Sequence, residues 1–118
     1  MARSSGPPYP DPVGFDPALA DETIVALRAA VQKLREVSTQ RMTHGNHALL
    51  NWLGPEADRF TQHMDGQHRD AAALLDELIA LIGSIQGGKD AALQLRRRHD
   101  QANEQWRLDQ ARNTSRAV

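Results

Sequence analysis

Trp52-Leu53-Gly54-Pro55-Glu56-Ala57-Asp58-Arg59-Phe60 decides how this chain folds. A bulky aromatic is followed by Gly54, which weakens a helix, and by Pro55, which suits the start of one. Proline fixes φ and lacks an N–H, so it fits the first helical turn and disrupts a helix interior. Glu56 and Asp58 then place negative charge where the N-terminal end of the helix dipole favours it. The stretch closes one helix and opens another, with the turn at 52–55. Working outward, both flanks carry the helical period.

Upstream, Ile24, Leu27, Val31 and Leu34 recur at spacings of three and four. The stripe continues through Ser38, Met42 (or Arg41), Gly45, Leu49 and Trp52. It holds without proline for roughly thirty residues, about 45 Å at the α-helical rise. Asp16-Pro17 or Asp21-Glu22-Thr23 can open this helix, because a side-chain oxygen at the cap satisfies a free N–H. Its middle is rich in weak helix formers (Ser38, Thr39, Thr43, His44, Gly45, Asn46), which predicts a kink or frayed turn near Gly45.

Downstream, a heptad-like seam runs through Phe60, Met64, Gln67, Ala71, Leu74, Leu78, Leu81, Ile85, Gly88, Ala92, Leu95, His99, Ala102 and Trp106. The three–four alternation lasts about six heptads. Gly87-Gly88 is its weak point, since two glycines cost roughly 2 kcal/mol relative to alanine. The favoured reading has the helix run through or kink there. No strand-like alternation interrupts this pattern. The expected fold class is all-α, an antiparallel helical hairpin.

The chain has 118 residues, a single-domain length. Its organisation reads as a flexible proline-rich arm over 1–17, a hairpin over 18–106, and a basic tail over 107–118. The arm holds Pro7, Pro8, Pro10, Pro12 and Pro17, which reads first as a mobile leader; the alternative is a docking arm that lies along a partner, with Tyr9 and Phe15 as anchors. Lys and Arg number 14 against 15 Asp and Glu, so net charge makes no case for nucleic acid or anionic membrane. Cysteine is absent, which excludes disulfides, zinc–thiolate sites and thiol catalysis. The longest apolar run, Leu78 to Ile82, is too short to span a bilayer, and no membrane span is expected. The first residues carry no apolar stretch resembling a signal peptide.

Two antiparallel helices bury one stripe each against the other. Here the apolar residues exceed one stripe, because Leu50, Leu53, Leu75, Ile79, Ile82 and Leu93 flank it. A face that wide needs a second partner surface, and a lone hairpin of this size is marginal. The expectation is a dimer that completes a four-helix bundle. Its partner seam would be Ile24, Leu27, Val31, Leu34, Leu74, Leu78, Leu81, Ile85 and Trp106, with Trp52 and Phe60 at the turn.

The turn motif reads Trp-x-Gly-x-x-Ala-x-x-Phe through Trp52, Gly54, Ala57 and Phe60. Placed between two helices in a chain of this length, it resembles the Trp-x-Gly (WXG, ESAT-like) helical-hairpin family associated with type VII (ESX) secretion. The resemblance covers residues 18–106. It implies a non-enzymatic protein, a secreted substrate or a partner and chaperone, that dimerises to accompany an exported protein. It implies partners in itself or a second WXG-like chain, an exported toxin or effector, and the type VII machinery. Trp52 and Gly54 would form the turn, with Trp52 packed on the partner. The implied location is cytoplasmic before export, and any release would proceed without a cleavable signal peptide. One departure is plain. The family's export signal is a Tyr-x-x-x-Asp/Glu after the second helix, and the one tyrosine here is Tyr9. His99-x-x-x-Asn103 and Trp106-x-x-Asp109 come nearest in shape and do not match it. Either a partner carries the signal, or the chain is a cytoplasmic relative that is never exported.

Chemistry beyond binding finds little support. A hairpin pivoting near 53–54 brings His44 level with His63 and His47 level with Phe60, with His68 nearby. No carboxylate falls at a ligand spacing and no His-Glu-x-x-His occurs, so no metal and no cofactor are expected and the histidines read as solvated or capping. No Ser/His/Asp arrangement forms, and the glycines fit no phosphate loop. No catalytic residue is assigned. Arg96, Arg97 and Arg98 make a basic patch whose ordinary role is a solvated helix face. The alternative function is an intracellular coiled-coil adaptor or regulator that uses this patch to hold nucleic acid or an acidic partner.

Overall fold

The computed structural model describes residues 6–116, which form two helices and no strand. Helix α1 spans Pro17–Ala48 and helix α2 spans Pro55–Arg116. The chain divides into two compact units, Ala18–Gln86 and Met1–Pro17 with Gly87–Val118. The division at Gly87 does not coincide with the tail boundary expected at 107, where α2 continues unbroken.

In the first unit the turn motif behaves as its chemistry dictates. Gly54 sits at φ 105°, a region that residues with a Cβ rarely enter. Its carbonyl accepts the first bond of α2, from the Asp58 N–H at 3.1 Å. At the end of α1, the Leu50 N–H reaches the His47 carbonyl at 3.3 Å, tightening the last turn. Trp52 N–H then bonds the Leu49 carbonyl at 3.3 Å. Pro55 opens α2 with Glu56 and Asp58 in its first turn. Asp16 precedes Pro17, so α1 starts at the earlier of its two candidate sites.

Ile24, Val31 and Ile82 form the buried core, and Leu27, Leu75, Leu78 and Ile85 pack against it. Farther along, the Ser38 hydroxyl lies 3.4 Å from His68 Nδ1. Gly45 sits against Met64. Early residues of α1 thus meet late residues of this part of α2, and later ones meet earlier ones. The two segments run antiparallel.

Two expectations need correction. The helix does not fray at Gly45, because α1 runs on to Ala48 and Gly45 is buried against Met64. Packing there outweighs poor intrinsic propensity. The inward stripe of α2 also takes the other shoulder of the heptad. Positions 71, 78 and 85 of the heptad seam face inward, joined by Leu75 and Ile82 from its flank. Leu74 and Leu81 stay out of the contact with α1, each 46 % exposed, which leaves their place in a partner seam untouched. Adjacent leucine-type pairs at 74–75 and 81–82 make either shoulder equally apolar in sequence. Helical phase against α1 then selects one.

Helix α2 also contains an 18-residue window of mean hydropathy 1.3, long and apolar enough by composition to cross a membrane. The five-residue run from Leu78 to Ile82 understated this stretch. Asp76 and Glu77 interrupt the apolar residues on either side of them, and an Asp near a bilayer centre costs about 2.5–3.5 kcal/mol. Leu75, Leu78, Ile82 and Ile85 in the same stretch pack in the hairpin core. Of these only Ile82 is buried, and most of the stretch stays exposed.

In the second unit, the three–four alternation carries on in half-buried positions 92, 96, 99, 103 and 106. The arm lies against this face. Tyr9 stacks on His99 with ring centroids 3.8 Å apart and planes 3° from parallel. The Asn103 amide accepts from the Tyr9 N–H at 3.0 Å and donates to the Tyr9 carbonyl at 2.8 Å. Arg96 Nη2 donates to the Phe15 carbonyl at 2.8 Å. The arm thus docks on the chain's own helix and not on a partner, with Tyr9 held through its ring and backbone and Phe15 through its carbonyl alone. The helix passes Gly87-Gly88 without a break.

Candidate protein-interaction site

The first unit buries little. Its buried apolar residues are Ala20, Ile24, Val31, Ala57, Met64 and Ile82, and no described side chain is completely enclosed. Meanwhile Leu50 is 72 % exposed and Leu53 is 92 % exposed at the bend. Trp52 rests on Phe60 of its own chain, with centroids 5.6 Å apart, and stays exposed on its other side. Of the motif residues, Ala57 packs inward, Phe60 is half-buried, and Gly54 sets the backbone.

Between the bend and the core, the helices leave a groove of about 470 Å³. Its floor is Leu34, Val37, Met42, Gly45, Phe60 and Met64, and its rim carries Arg41, His44, His63 and His68. The groove exists because small and polar residues (Ser38, Gly45, Ala48, Gln67, Ala71) replace the large aliphatics found on either side of it. Their weak packing was visible in sequence as a weak midsection, but the resulting void was not. His44 and His63 line the same groove, in agreement with the register drawn from the pivot. Among the described residues, no cluster of three or more His, Asp or Glu side chains is arranged to hold a metal ion.

The seam assigned from sequence is thus split. Ile24, Leu27, Val31, Leu78 and Ile85 are used within the hairpin, and Leu34 is half-buried in the groove wall. Leu74 and Leu81 lie one heptad apart on an exposed shoulder of α2. By helical phase Ile79, also exposed, belongs to the opposite shoulder. In the second unit Trp106 is half-buried at the end of the arm-bearing face.

The basic patch is partly committed. Arg96 is held by the Phe15 carbonyl, while Arg97 and Arg98 are exposed. Arg107 forms a bidentate pair with Glu104, through bonds of 2.5 Å and 3.1 Å, and Arg112 lies 3.9 Å from Asp109. Hydrogen bonding and charge from Glu104 raise the Arg107 guanidinium above its ordinary value. Such exposed pairs add little stability, but they reduce the cationic field of the tail. No family model, no curated protein and no solved structure matches this chain.

Proposed function

We propose that this chain is a non-enzymatic helical-hairpin protein that dimerises, with itself or a similar chain, into a four-helix bundle. One observation carries the reading: the hairpin satisfies its core with one shoulder of α2 and leaves a second leucine shoulder, Leu74 and Leu81, open to water. The apolar-floored groove and the exposed Leu50 and Leu53 at the bend support it. Fully covering a leucine is worth about 1.5–3 kcal/mol, so a partner that shields this surface gains substantially. The Trp-x-Gly resemblance adds the biological role, that of a type VII secretion substrate or partner that accompanies an exported protein.

The test compares two aspartates on one helix. Leu81→Asp leaves the hairpin core intact and should halve the mass seen by light scattering while keeping helical circular dichroism. Leu78→Asp strikes the packed ridge and should lose helicity as well. A Leu81→Asp chain that keeps the dimer mass, or a parent chain that is monomeric at high micromolar concentration, overturns the reading. Copurification with a second Trp-x-Gly chain encoded beside it would identify a heterodimer. The adaptor alternative gains no comparable support, since Arg96, Arg107 and Arg112 already face oxygen acceptors within the chain.

A further inference from the structure

The arm-bearing face of α2 makes contacts that only a particular kind of chain can satisfy. Asn103 takes both the N–H and the C=O of one residue, Tyr9. Residues inside a helix direct both groups along the axis to partners four positions away, so a helical partner has neither to offer. A two-point clamp of this form needs an extended segment. His99 presents a flat ring to an aromatic side chain, and Arg96 donates to a third backbone group, the Phe15 carbonyl. None of these contacts reads a charged side chain; they read extended backbone and one aromatic ring.

The resident segment fills this face incompletely. A recess of about 270 Å³ remains between the arm and Arg96, His99, Asp100 and Asn103. His99 Nδ1 is buried with no hydrogen-bond partner, an arrangement that disfavours the docked arm. Two of the arm residues lining the recess, Pro10 and Pro12, have no N–H to give it. Tyr9 itself remains 43 % exposed.

We propose that the Arg96–His99–Asn103 face is a recognition site for an extended, aromatic-bearing segment of a partner protein, and that the chain's own proline-rich arm is a displaceable placeholder on it. The inference is independent of whether the hairpin dimerises. A tethered arm competes at an effective concentration in the millimolar range, so an outside segment binds weakly until the arm is released.

The experiment uses the full chain and, as probe, a fluorescent peptide copying residues 6–17, read by anisotropy. Wild type should bind it weakly, and the Tyr9→Ala chain, with its own anchor removed, at least tenfold more tightly. Adding Asn103→Leu to Tyr9→Ala should abolish that gain. Asn103→Asp, which keeps size and loses the donor, should reduce it if the leucine variant proves unstable. Equal binding to all chains, or no binding to the Tyr9→Ala chain below 1 mM peptide, overturns the proposal. So does a loss of dimer mass on Tyr9→Ala alone, since that would assign the site to the arm of a second copy instead.

Discussion

Gly54 holds φ at 105° with nothing within 4 Å of where a Cβ would stand, so its requirement is conformational and not steric. A residue with a side chain pays about 1–2 kcal/mol in left-handed backbone. Gly54→Ala should therefore lower stability by that amount, read as a shift in the urea midpoint at unchanged slope; an unchanged midpoint would show that the bend does not need glycine. Gly45 is the opposite case. A Cβ there would lie 1.8 Å from Met64 Sδ and 2.9 Å from its Cε, so the flexible end of Met64 must move. Gly45→Ala should destabilise by about 1 kcal/mol in the parent, where overpacking outweighs the propensity gain. In a Met64→Ala background the same change should stabilise by about 0.5–1 kcal/mol. A double-mutant cycle with no coupling between the two sites would refute the close approach.

At the scale of the helices, sequence conveyed type and turn well, and shoulder poorly. Pro55, the acidic first turn and the three–four stripes were enough for two helices meeting at Trp52-Leu53-Gly54. Ridge positions 71, 78 and 85 were legible because both stripe readings share them. Leu74 against Leu75, and Leu81 against Ile82, were not, because hydropathy is blind to which neighbour faces α1. The docking of the arm on its own helix was not legible, since the sequence offered only a mobile leader or an arm laid along a partner. Tyr9 and Phe15 stood out as aromatic anchors, but the clamp on Tyr9 uses backbone groups that every residue carries, so Asn103 gave no signal. Arg96 was read as part of a cationic patch, and its partner is a carbonyl. Gly87-Gly88 bears on α2 in a different way. The helix passes through both, and neither has an atom near its missing Cβ. Replacing each by alanine should add about 0.8–1.0 kcal/mol of helix stability, seen as a higher thermal midpoint. A drop instead would show that a partner or a bend requires the small residues.

For the whole molecule, the balance of buried and exposed apolar groups sets the dependence on concentration. The first unit buries four large side chains, Ile24, Val31, Met64 and Ile82, and leaves Leu50, Leu53, Leu74 and Leu81 facing water. A near-neutral net charge of −1 offers little repulsion between copies. If association shields that surface, unfolding is coupled to dissociation and the unfolding midpoint must depend on protein concentration. Raising the chain from about 1 µM to 100 µM should stabilise the dimer by about 2.7 kcal/mol, measured as a rise in the thermal midpoint. In the Leu81→Asp chain the midpoint should be independent of concentration. A parent midpoint that stays constant over that hundredfold range would mean that the exposed leucines are tolerated singly, and that the chain folds without a companion.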